Sequence, residues 1–417
     1  MTDTPTLTDT NKPGPNRPAA RLIGPDVLRG FALLGILVPN IFTFAWPFTA
    51  MTDASAIGDA LRFLDLDAIE NVAANSFSHQ FMSIAFLGKF MFIFAMLFGA
   101  GVVMFDNGKP GNNTGRWYLR LAWLLLFGVI HAIFIWYGDI LVWYAAAGML
   151  LPWWCRKLEP IPLLLIASLL YLIGMALSVG LIGLSSVFVD VGLMTVEEAF
   201  GDVEREVAAM TGTFLDGTIY RAITASITWF FVLPLTFIWS ISGLMLAGIA
   251  LAKLGIITGE RSPKFYSRMA IVGITLGIIT TLAGYLALHD LTPVWAGQLW
   301  AFVAQLFGIP LGLGYIAAVL WLVTSGKLAP VTTGLAAVGR MAFTNYLGTS
   351  IICSLIFTGP GLGLYATVQF PTLWLIVIGV WTVNIAFSLF WLRGFRFGPL
   401  EWLWRCLTYG KLLPIRR

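Results

Sequence analysis

His131, in Phe127-Gly128-Val129-Ile130-His131, and Asp139, just past Tyr137-Gly138, are the pair in this sequence best suited to proton transfer. A neutral imidazole oriented by a carboxylate takes up a proton near pH 7. Each residue also has a plainer reading. His131 would be an intramembrane histidine bonded to a carbonyl, and Asp139 would cap the helix it precedes, where its charge suits the helix dipole. Asn40 ends the first apolar run, and its amide would either stabilise an oxyanion or bond a neighbouring helix. His79, near the start of the second run, is another candidate base with an interfacial alternative, and His289 beside Asp290 reads as interfacial.

A second set of residues is suited to holding anions. Asp26 and Arg29 lie three residues apart, on one helix face, at the mouth of the apolar run Phe31 to Trp46. Lys89 falls inside the second run, where a cation costs about 2.5–3.5 kcal/mol even on the lenient insertion scale. It is expected to face the bundle and meet an acidic partner, unless the span starts later and the lysine snorkels. Arg340, followed by Thr344 and Asn345, offers a planar guanidinium that matches phosphate oxygens; a topology-setting arginine is the alternative. Gly398-Pro399-Leu400-Glu401-Trp402-Leu403-Trp404-Arg405 reads as an interfacial anchor. No nucleoside-triphosphate loop, HExxH, GxSxG or dinucleotide fingerprint occurs, and Cys155, Cys353 and Cys406 lack ligand spacing, so no metal is expected.

The elements that must position these groups are membrane helices. Hydrophobic residues make up 58% of the chain and charged residues 11%, and the mean hydropathy is +0.85; soluble domains carry about 25% charged residues. Basic residues are scattered between apolar runs rather than gathered in a patch, which argues against a nucleic-acid partner and for the lipid bilayer. An all-α polytopic bundle of about ten transmembrane helices is expected, starting near Asp26, Phe81, Trp117, Ile140, Pro160, Thr218, Phe265, Val294, Leu335 and Leu373. The sixth run contains Pro234 and exceeds one crossing, so a kink or a lipid-parallel lead-in is expected there.

Lys and Arg fall on every second loop and acids on the others, which places both termini in the cytoplasm and the protein in a cytoplasmic membrane. The domain reading is a disordered cytoplasmic tail at 1–25, one transmembrane domain at 26–410 with outer loops at 47–80 and 190–217, and a basic tail at 411–417. Thr195 to Thr213 reads as a short amphipathic helix with acids in its first turn.

The motifs Asp26-Val-Leu-Arg29-Gly30 with Asn40, Gly88-Lys89-Phe90, Phe127-Gly128 with His131, Gly138-Asp139, Gly339-Arg340-Met341-Ala342 with Thr344-Asn345-Tyr346, and Gly398 to Arg405 together resemble the bacterial YeiB-like family, a domain of unknown function, from Asp26 to about Tyr409. Through its first span the chain is also similar to transmembrane acyltransferases that include heparan-alpha-glucosaminide N-acetyltransferase. That resemblance implies acyl transfer from cytoplasmic acyl-CoA, as co-substrate, to an envelope glycan or lipid across the membrane. Arg29, Arg340 or Lys89 would hold the donor, His131 with Asp139 would activate the acceptor, and Asn40 would stabilise the oxyanion. The acetyltransferase's proposed catalytic histidine lies between its first two spans, where this chain offers His79. The rival reading is a transporter that uses Lys89, Asp139 and His131 as a substrate or proton relay.

Overall fold

The computed structural model describes residues 23–47, 72–106, 113–151, 153–195, 201–288 and 294–417. In chain order its helices are α1 (Ile23–Ala45), α2 (Val72–Ala85), α3 (Lys89–Asp106), α4 (Asn113–Phe134), α5 (Leu141–Leu150), α6 (Pro160–Asp190), α7 (Val203–Thr211), α8 (Phe214–Ile227), α9 (Ile238–Lys253), α10 (Pro263–Leu288), α11 (Val294–Ser325), α12 (Ala329–Arg340), α13 (Ala342–Phe357), α14 (Phe370–Gly394) and α15 (Pro399–Tyr409). Hydrocarbon cannot solvate backbone N–H and C=O groups, so a spanning chain pairs them within itself. The protein is accordingly an all-α polytopic helix bundle. Among the described residues eight helical stretches are long and apolar enough to cross a membrane, and α5 and α13 are shorter apolar helices.

Several expected boundaries move. α1 starts at Ile23, with Pro25 in its first turn, so the end of the supposed tail is helical; the rest of that tail lies outside the described residues. α2 starts at Val72, which makes the last part of the expected 47–80 loop helical. The run expected from Ile140 forms only the ten residues of α5, about 15 Å at 1.5 Å per residue and too short to cross alone. α7 begins at Val203 with Asp202 as its cap, accepting the Arg205 N–H at 3.0 Å; Glu197 and Glu198 lie outside the described residues.

Pro234 is accommodated by a π-helix over Thr228–Phe237, whose wider turn absorbs the missing N–H while the span continues from α8 into α9. The basic tail at 411–417 folds back: Arg396 N–H donates to Ile415 O at 2.8 Å and Arg417 N–H to Gly394 O at 3.2 Å.

Among the described residues two spans are broken. Between α2 and α3 the chain turns at Phe86–Gly88, where Gly88 has φ +79°. The carbonyls freed there are taken by the Lys89 ammonium, at 3.0 Å from Ser83 O, and the Tyr315 hydroxyl, at 3.1 Å from Ala85 O. The ninth run, expected from Leu335 as one span, breaks at Met341 into α12 and α13.

α1 is the core helix, with Val27, Leu28, Ala32, Val38 and Ile41 fully buried, whereas Ile271, Val272 and Ile279 of α10 are exposed. Its crossing with α12 requires glycine on both sides. A Cβ on Gly30 would overlap the Leu335 carbonyl, and one on Gly339 would overlap the Asp26 carbonyl. Farther along α1, Gly35 leaves the space filled by the Phe90 ring.

Candidate functional site

α4 ends in a tight turn in which Ile135 N–H and Trp136 N–H both donate to His131 O, at 2.9 Å each. Gly138 permits this turn, since a Cβ there would collide with the Trp136 ring. The turn brings Asp139 back onto α4, and Asp139 Oδ2 lies 2.8 Å from His131 Nδ1 with both residues fully buried. Asp139 Oδ1 accepts the Val142 N–H at 2.8 Å, so the same carboxylate also caps the start of α5. Gly128 makes the approach possible: a Cβ at that position would stand 2.9 Å from Asp139 Oδ1 and 2.7 Å from Val142 N.

An ionised carboxylate only accepts, so it holds the proton on Nδ1 and leaves the lone pair of the neutral ring on Nε2. Among the described residues Nε2 is buried and has no hydrogen-bond partner. The Tyr346 ring lies 5.1 Å from the imidazole and the Trp136 ring 6.4 Å. Tyr346 also accepts the Ile140 N–H at 3.3 Å.

Behind Tyr346 is a narrow cleft between α1 and α13, lined by Leu33, Asn40, Phe44, Tyr346, Thr349 and Ser350. Its volume is about 10 Å³, close to the space of one water. His131 does not line the cleft; Tyr346 and the Trp136–Phe44 stack, with centroids 4.2 Å apart, connect the two. Asn40 lines the cleft and is half-buried.

The other candidates fall in separate places. His79 packs on the Phe370 ring, 6.1 Å away, and does not line the cleft. Lys89 is buried, as expected, but among the described residues its ammonium meets the Ser83 carbonyl instead of an acid, because the helix break beside it exposes that acceptor. Arg29 Nη1 pairs with Asp26 Oδ1 at 2.9 Å, with Asp26 buried and Arg29 partly exposed. The α1–α12 crossing brings the Asp26 carbonyl against Gly339, and the neighbouring Arg340 donates to Arg396 O at 3.3 Å. Asn345 is buried, and its amide nitrogen donates to Val338 O at 3.2 Å and Ser388 Oγ at 2.8 Å, so it ties α12 and α13 to α14.

Three acids and bases carry more structure than sequence reasoning assigned them. Glu401 does not merely anchor an interface: Oε1 accepts the N–H groups of Phe343 and Thr344 at 2.7 and 3.1 Å, and Oε2 accepts the Thr344 hydroxyl at 2.6 Å. It therefore caps α13 at the Met341 break, and burial pushes its carboxyl above the usual range. Glu206 of α7 accepts the hydroxyls of Tyr137 and Tyr365 at 2.7 and 2.8 Å, which latches α7 to the turn that carries Asp139. Burial, then the Glu206 charge, raise the Tyr137 hydroxyl well above its ordinary value. Arg221 of α8 caps the other side of that turn by donating to Ile133 O at 3.0 Å. The signal for Arg221 is in the chain, as the sole charged residue between Thr218 and Ala252.

These features define a polytopic membrane protein with a buried His–Asp pair at one end of its helices and a charged α1–α12 crossing at the other. The chain belongs to the YeiB-like family: it is 33% identical to the uncharacterised protein YxaH of Bacillus subtilis (strain 168) over 412 residues, 94% of this chain and 95% of that one. It is 32% identical to the uncharacterised protein YeiB of Escherichia coli (strain K12), over 92% of this chain and 95% of that one. A protein encoded in the amylase 3′ region of Bacillus acidopullulyticus is 27% identical over 94% of each chain. The family described as "Protein of unknown function (DUF418)" matches residues 251–411, which include Arg340, Asn345 and Glu401. No solved structure matches the chain.

Proposed function

We propose that this protein is a transmembrane acyltransferase of the bacterial cytoplasmic (inner) membrane, moving an acyl group from cytoplasmic acyl-CoA to an extracytoplasmic envelope glycan or lipid. The observation that carries this reading is the buried His131–Asp139 pair, whose Nε2 has no hydrogen-bond partner among the described residues and is therefore suited to take a substrate proton. The loop charges support the orientation, with both termini and the Asp26, Arg29 and Arg340 end in the cytoplasm.

In this mechanism Nε2 takes the proton from an acceptor hydroxyl or amine. The acceptor atom attacks the thioester carbonyl, the Asn40 amide donates to the oxyanion, and the carbon–sulfur bond breaks. The sulfur of CoA leaves with the proton returned by His131. Arg29 and Arg340 face the donor's phosphates. Asp26 and Asn40 are fourteen residues apart on α1, about 21 Å, so the donor reaches the site by an extended arm along that helix. The cleft as it stands holds about 10 Å³, and entry of an acyl group requires α1 and α13 to part.

The second reading is a transporter, favoured by the helix breaks beside Lys89 and at Met341, since discontinuous helices often line transport sites. Complementing a deletion strain with the wild type or His131→Ala, followed by mass spectrometry of envelope glycans and lipids, separates the two. Acyl transfer predicts loss of an acylated species with His131→Ala. Unchanged acylation counts against it, and pH-dependent flux in proteoliposomes without acyl-CoA consumption supports the transporter.

A further inference from the structure

Arg221 is 4% exposed, within the membrane-crossing stretch Phe214–Lys253. Its Nε donates to Ile133 O at 3.0 Å, and its Nη2 donates to Phe134 O at 3.4 Å and Thr218 Oγ1 at 3.1 Å. Those acceptors are all neutral. They satisfy donors and hold the guanidinium in place, but they do not balance its charge, and a buried cation without a counter-charge is costly. Among the described residues no carboxylate pairs with Arg221 and Nη1 has no acceptor. Gly217, one turn away, keeps that side open, because a Cβ there would stand 3.0 Å from Nη1.

Arg221 lines a cavity of about 190 Å³ together with Phe134, Phe214, Ile351, Ser354 and Leu355, and Gly217, the residue beside Nη1, lines it too. This is far above the space one water needs and takes a short stretch of alkyl chain. Ser354 has already donated its hydroxyl to Ile135 O, so the guanidinium is the polar group with unmet demand. Phe134, Ile351 and Leu355 are 48%, 45% and 55% exposed and lie on the apolar helices α4 and α13, while Met210 of α7 and Pro360 also line the cavity.

We infer that Arg221 and this cavity form a phospholipid-binding site, with the lipid phosphate on Nη1 and one acyl chain against Phe134, Ile351 and Leu355. Free phosphate would meet the guanidinium but leave apolar walls wet. A neutral diacylglycerol would fill the walls but leave the charge unpaired. The inference stands apart from the acyl-transfer reading and uses none of its reacting groups.

The test is titration of the purified full-length protein with dioctanoyl phosphatidylglycerol, dioctanoylglycerol or inorganic phosphate, read by native mass spectrometry. One bound phosphatidylglycerol is expected, with affinity about tenfold to a hundredfold lower in Arg221→Gln, the range for losing a charged hydrogen bond. Leu355→Trp fills the cavity while keeping both Arg221 and the α4 cap, and it lowers affinity comparably; it decides the matter if Arg221→Gln does not fold. Equal affinity in wild type and Leu355→Trp, or binding of diacylglycerol or phosphate as tight as that of phosphatidylglycerol, overturns the inference.

Discussion

His131 and Asp139 share a single 2.8 Å hydrogen bond, and it occupies only one of the two carboxylate oxygens. The other is held by the Val142 N–H at the start of α5. The orienting and capping roles of Asp139 are therefore simultaneous, and α5 fixes where the imidazole is held.

Exchange at Asp139 should separate these roles. Asp139→Asn keeps an acceptor for Val142 but no longer enforces the tautomer, so acyl transfer should fall at least about a hundredfold with thermal stability close to wild type. Asp139→Ala loses the cap as well and should be destabilised by about 1–2 kcal/mol more. Equal stability of the two variants would remove the capping role.

The α1–α12 crossing should tolerate no side chain at Gly30 or Gly339. Either residue changed to Ala places a methyl against a backbone carbonyl and should cost about 1–3 kcal/mol. Gly379→Ala, with nothing within 4 Å of the added Cβ, is the control and should melt near wild type in detergent.

Glu401 should leave a pH signature. Burial raises its carboxyl in the folded protein, so the folded state binds the proton more tightly than the unfolded chain. The associated stabilisation is full below the unfolded value, about 4.3, and is lost as pH rises through the raised folded value. On acidification through that window wild type should gain stability relative to Glu401→Gln, as read by melting temperatures between pH 7.5 and 4; a constant difference would contradict the shift.

Acetyl-CoA should stabilise the detergent-purified protein, by about 2.7 kcal/mol at a hundred times its dissociation constant, with ATP as the negative control. Arg29→Gln and Arg340→Gln should each weaken the shift. No shift with any acyl-CoA would favour the transporter.

Composition made the helical membrane fold legible, because a run of apolar residues long enough to cross has few other stable forms. The breaks were less visible. Met341 interrupts an apolar run only because Glu401, some sixty residues on, caps the amides of Phe343 and Thr344 and because Asn345 takes the Val338 carbonyl. Lys89 was expected to need an acid, but the turn at Gly88 supplies a free carbonyl in its place. The family motifs proved to be contact points: Gly30 meets Gly339, Phe90 fills the space beside Gly35, and Trp404 donates to Arg120 O at 2.9 Å. His131 and Asp139, eight residues apart across one turn, were within reach of sequence reasoning. Arg221 required the tertiary structure to show that its partners are all neutral.

The most direct test of acyl transfer is reconstitution in vesicles with isotope-labelled acetyl-CoA at the face bearing Arg29 and Arg340 and envelope glycans or lipids at the other. Label should pass to the acceptor with release of CoA, and His131→Ala should reduce the rate about a hundredfold or more. Transfer at the wild-type rate by His131→Ala, or no transfer by the wild type to any envelope fraction, would contradict the account.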